Sequence, residues 1–67
     1  MIEITINGKP EQIEQQTSID RLLDQIGLAG QRVAVELNRE IVPRSLHPDT
    51  RIQAGDRIEI VHAIGGG

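Results

Sequence analysis

Ile2, Ile4 and Ile6 alternate with Glu3 and Thr5 at the start of the chain. A period of two is that of a strand with one buried face. Asn7-Gly8 follows and is a strong two-residue hairpin signal. A return strand is predicted around Glu11 to Gln15, with Ile13 inward, and Pro10 at its start marks it as an edge strand. The period then changes. Ile19, Leu22, Leu23 and Ile26 stand at i, i+3, i+4 and i+7, one apolar face of a helix. Thr17-Ser18 supplies the N-cap, Asp20 favours the first turn, and Gly27 supplies the left-handed residue that ends it. The helix therefore runs from about Ser18 to Ile26.

Alternation returns in the second half. Arg32 to Leu37 puts Val33, Val35 and Leu37 on one face, Asn38-Arg39 turns the chain, and Glu40 to Val42 forms a short return strand that Pro43 ends. Arg44 to Thr50 is polar and contains Pro48, so it is predicted as a loop with Leu46 as its core plug. Ala54-Gly55-Asp56 is a turn, after which Arg57 to Val61 places Ile58 and Ile60 inward. The predicted core is Ile2, Ile4, Ile6, Ile19, Leu22, Leu23, Ile26, Val33, Val35, Leu37, Ile58 and Ile60. One helix covers one face of a four- to five-stranded sheet, which gives a two-layer α+β sandwich. Periodicity fixes these layers and not the strand order. The element order strand-strand-helix-strand-strand is that of the β-grasp, the ubiquitin-like fold.

Composition narrows the function. Ile, Leu and Val occupy 20 of 67 positions and the net charge is -3. That is too aliphatic for a disordered chain and implies a single domain over residues 1–67. No Cys is present, which excludes disulfides, thiolate metal sites and a cysteine nucleophile. An acidic chain without Phe, Trp or Tyr is a poor nucleic-acid binder, having neither a basic surface nor a ring to stack on a base. No apolar run approaches a membrane span and no signal peptide is visible, so a soluble cytoplasmic protein is expected.

Catalytic chemistry is scarce. His47 and His62 lie far apart in sequence and read as solvated or loop residues, with no metal site expected. The carboxylates are scattered, and no hydroxyl has a base beside it in a recognisable arrangement. The end of the chain, Gly65-Gly66-Gly67, is different. Triglycine is costly to order and stabilises no fold, so it reads either as a frayed tail or as a segment made to enter a narrow channel in extended form. Its distinctive group is the Gly67 carboxylate. Joined to AMP from ATP it becomes an acyl adenylate, and a sulfur nucleophile can convert that to a thiocarboxylate. Residues 63–67 are thus expected to form a flexible tail on the β-grasp body. Arg57, Glu59 and Val61 fall on the sheet face away from the helix, and the parity makes that face a docking surface with Val61 at its apolar centre.

The chain resembles the ThiS family, ubiquitin-like sulfur carriers of thiamine (thiazole) biosynthesis. The resemblance is carried by the opening Met1 to Gly8, the helix start Thr17 to Leu23, the segment VELNREIVPRS from Val35 to Ser45, and the ending GDRIEIVHAIGGG from Gly55 to Gly67. The stretch NREIVPR from Asn38 to Arg44 discriminates most. Gly66-Gly67 is common to ubiquitin-like sulfur carriers and sets the class rather than the pathway. Gly65 departs from the Ala or other small residue expected there. The resemblance implies a protein substrate and not an enzyme, binding no cofactor of its own. A ThiF-type adenylyltransferase would use ATP to adenylate Gly67, sulfur from a cysteine desulfurase would yield the thiocarboxylate, and a ThiG-type thiazole synthase would take the sulfur. Gly65 and Gly66 would give the tail access to both active sites, and Val61, Ala63 and Ile64 would meet the partner. A carrier for molybdopterin or another thiolation, and a ubiquitin-like binding or conjugation module, are the alternatives. The single lysine, Lys9, disfavours self-linked chains.

Overall fold

The computed structural model describes residues 1–62. Five strands and one α-helix follow the chain: β1 (Ile2–Ile6), β2 (Lys9–Ile13), α1 (Ile19–Gln25), β3 (Val33–Leu37), β4 (Glu40–Val42) and β5 (Arg57–His62). The strands form one sheet in the order β2-β1-β5-β3-β4. β1 pairs β5 in parallel and the other ladders are antiparallel. This mixed sheet with a single helix is the expected β-grasp.

Both hairpins turn over two residues, with Ile6 opposite Lys9 and Leu37 opposite Glu40. Asn7 and Gly8 have φ 51 and 83, and Asn38 and Arg39 have φ 53 and 72. Two successive left-handed residues match the twist of the flanking strands. β2 is an edge strand, as Pro10 indicates, and it begins two residues earlier than the predicted Glu11.

Ser18 caps α1, its Oγ accepting from the Arg21 N–H at 3.1 Å. At the other end Gly27 has φ 82, its N–H donates to Asp24 O, and the Leu28 N–H donates to Leu23 O at 2.7 Å. That pair of bonds is the Schellman closure. It explains the first correction to the predicted core. Ile26 is the C-cap and is 42% exposed, because the seven-residue helix ends before its last apolar position turns inward. Leu28, just past the closure, packs on the core instead.

The buried core is Ile4, Ile13, Ile19, Leu22, Leu23, Val35, Ile52, Ile58 and Ile60, flanked by half-buried Ile2, Ile6, Val33 and Leu37. Ile52 was not predicted. The Ile19 N–H donates to Thr50 O and the Ile52 N–H donates to Thr17 O, so a short bridge to the helix start draws Ile52 inward.

The second correction lies between β4 and β5. Arg44–Asp49 is a 3₁₀ segment rather than an irregular loop, and Leu46 is exposed rather than a core plug. A three-residue period puts His47 inward and Leu46 outward. His47, expected to be a solvated or loop residue, is buried. Its Nε2 lies 3.0 Å from the Val42 carbonyl and donates to it, which satisfies the polar ring inside the core.

Candidate functional site

The last described strand, β5, runs through the middle of the sheet. β5 lies between β1 and β3, and its last described residue, His62, pairs with Val33. His62 is exposed, as expected. Ala63, Ile64, Gly65, Gly66 and Gly67, all assigned roles from sequence, lie outside the described residues, as does the expected flexibility of that tail.

The helix covers one face of the sheet and leaves the other open. Ile58 and Ile60 point into the core while Arg57, Glu59 and Val61 are exposed, so the predicted parity holds. The register shows what surrounds Val61. Ala34 stands opposite it on β3, and Glu36 stands between Glu59 on β5 and Ile41 on β4. Directly paired residues share a face. The open face near the end of β5 therefore carries Val61 and half-buried Ala34, with exposed Ile41 at the β4 edge. Glu36 and Glu59 form an acidic row between these apolar positions, and Arg57 follows Glu59 on the same face. An apolar centre with a charged border is the composition of a transient protein interface.

Sequence reasoning missed Ala34, Glu36 and Ile41. The signal was available: a two-residue turn at Asn38-Arg39 fixes Ile41 opposite Glu36, and Glu36 has the parity opposite to Val35. The structure does not bring His47 and His62 together as a site. His47 is buried in the 3₁₀ segment and bonded to the Val42 carbonyl, while His62 is exposed at the end of the central strand. Among the described residues no group of three or more acidic, His or Cys side chains is placed to hold a metal, and no helix is long and apolar enough to cross a membrane.

The profile of the ThiS family matches residues 4–67. The chain belongs to the ThiS family. The sulfur carrier protein ThiS of Bacillus subtilis is 35% identical over 96% of this chain and 98% of its own length. The crystal structure of the thiamine biosynthesis protein ThiS from Geobacter metallireducens superposes with a TM-score of 0.87 at 32% identity, covering 98% of this chain and all of that one. A thiazole synthase of Magnetococcus marinus is 41% identical over 98% of this chain, and the chain spans about a fifth of that relative's length.

The family match places the β-grasp body and the glycine ending in one known type of protein.

Proposed function

We propose that this chain is a sulfur carrier of thiamine biosynthesis, a protein substrate that works in the cytoplasm and holds one sulfur atom on the carboxyl group of Gly67. The observation that carries the reading is the family match, which runs through residue 67.

The chemistry follows from the reactivity of a carboxylate. The Gly67 carboxylate is a poor acyl donor. Its oxygen attacks the α-phosphate of ATP in a ThiF-type adenylyltransferase, pyrophosphate leaves, and Gly67 becomes an acyl adenylate. A sulfur nucleophile, supplied from a cysteine desulfurase, attacks the acyl carbon. AMP departs, and the product is a thiocarboxylate. A ThiG-type thiazole synthase then takes the sulfur. The occurrence of a similar segment within a thiazole synthase polypeptide supports that recipient. It also favours the thiazole pathway over molybdopterin. ATP is bound by the adenylyltransferase and not by the carrier.

The carrier contributes two things. Its open face, with Val61, Ala34 and Ile41, docks on the partner, joined by Ala63 and Ile64 at the tail base. Gly65 and Gly66, lacking Cβ atoms, let the terminus pass through a channel too narrow for other residues.

ATP–pyrophosphate exchange by the cognate adenylyltransferase tests the first step. Full-length carrier supports exchange. Deleting Gly67 abolishes it without changing the fold, because the new carboxylate stops roughly 3.5 Å short of the phosphate. Gly66→Val fails by steric exclusion. Exchange at the wild-type rate by the deletion variant overturns the reading.

A further inference from the structure

Strand β1 stops supporting β5 before β5 ends. The parallel ladder pairs Thr5 with Arg57 and Ile6 with Ile58, and the Asn7 N–H donates to Ile58 O at 2.8 Å. At Asn7 the chain turns left-handed and leaves toward β2. β5 continues through Glu59, Ile60, Val61 and His62. On its other side β3 accompanies it to the end, with Ala34 opposite Val61 and Val33 opposite His62.

The Asn7 side chain supplies the next rung where the β1 backbone cannot. Its Oδ1 accepts from the Ile60 N–H at 2.8 Å, and its Nδ2 donates to the Ile60 carbonyl at 3.1 Å. A primary amide offers one acceptor and one donor side by side, which matches the N–H and C=O of a single strand residue. These bonds join residues 53 apart in sequence and are partly buried. Ile60 is thus held from both sides, seven residues before Gly67. Val61 and His62 carry the strand onward from this clamp, so the direction in which β5 ends depends on it.

We infer that Asn7 is a positioning residue for tail loading: its amide clamps Ile60 and sets the line along which the chain leaves the sheet toward the partner's active site. The inference rests on the proposed adenylation of Gly67. Asn38 provides an internal comparison. It also sits left-handed in a two-residue turn, and its Oδ1 accepts from the Arg57 N–H at 2.9 Å. That grip lies at the start of β5, far from the tail. A purely structural role predicts the same outcome for both asparagines. A positioning role does not.

The test compares Asn7→Gly with Asn38→Gly, since glycine keeps each left-handed turn and removes each clamp. Adenylation is measured at saturating carrier with each variant shown to be folded by circular dichroism, and amide exchange is followed at Ile60 to His62. Asn7→Asp, which keeps the acceptor and loses the donor, is measured alongside as a second probe should Asn7→Gly fold poorly. Asn7→Gly lowers kcat on the order of tenfold, because even small misplacement of a reacting group is costly. Its KM stays within about twofold, and exchange at His62 speeds up. Asn38→Gly keeps the wild-type kcat. Wild-type kcat for Asn7→Gly, or an equal fall for Asn38→Gly, overturns the positioning role alone. Wild-type carrier that is never adenylated overturns the function proposal together with this one.

Discussion

Val61→Thr tests the docking face with little disturbance to the fold. Threonine keeps the β-branched shape and strand preference of valine. It replaces one methyl group with a hydroxyl. Val61 is 61% exposed in the free protein, so the substitution removes no core contact and stability should change by less than about 0.5 kcal/mol. Binding is another matter. Complete burial of a valine side chain is worth about 1.5–3 kcal/mol. With 61% of the residue open, a partner that covers it recovers about 1–2 kcal/mol. Threonine loses the share of that gain carried by the missing methyl and leaves a hydroxyl to satisfy in the interface, which together cost about 1–2 kcal/mol. Affinity for the adenylyltransferase should fall about 5- to 30-fold. Calorimetric titration measures the Kd, and a urea melt read by far-ultraviolet circular dichroism measures stability, since the chain has no aromatic fluorophore. Ile41→Thr should act likewise. Ile41 and Val61 lie two strands and two residues apart, about 12 Å, so their effects on binding should add. Unchanged affinity in both variants would remove this face from the interface.

Two further predictions concern the fold. Leu22 is 1% exposed at the centre of the helix contact, so Leu22→Ala should cost about 2–5 kcal/mol, a large part of the stability of so small a domain. A loss under about 0.5 kcal/mol in a urea melt would contradict the packing described. Arg39 holds φ 72 in the second hairpin, where a Cβ is unfavourable. Arg39→Gly should therefore raise stability by about 0.5 kcal/mol, the relief of strain exceeding the added entropy of the unfolded chain. A lower melting temperature would refute that balance.

The layers and turns of the fold were legible because each imposes a short-range pattern. A strand with one wet face alternates, as Ile2, Ile4 and Ile6 do, and a two-residue hairpin needs left-handed residues, as Asn7-Gly8 provides. Reading failed where another period or a distant contact took over. Ile26 continues the helical spacing on paper, but the Schellman closure at Gly27 removes it from the helix and hands its place to Leu28. Leu46 is the most apolar residue of its segment, yet a 3₁₀ turn points His47 inward, and the Val42 carbonyl makes that burial tolerable. Ile52 stands alone among polar neighbours and gives no periodic signal. The bridge to Thr17 and Ile19 that buries it is visible only in three dimensions.

The site divides in the same way. The glycine ending and the parity of Val61 are written in the sequence. Ile41 required the register of the second hairpin. The Asn7 clamp had no separate signal, because the turn already accounts for an asparagine at that position.

The most direct test of the sulfur-carrier account is the intact mass of the wild-type protein after incubation with its adenylyltransferase, ATP and a sulfur source. Fragmentation from the C-terminus would locate any change. The account predicts a gain equal to one oxygen replaced by one sulfur, confined to Gly67, and absent when Gly67 is deleted. An unchanged mass under conditions that consume ATP, or a gain placed on any other residue, would contradict it.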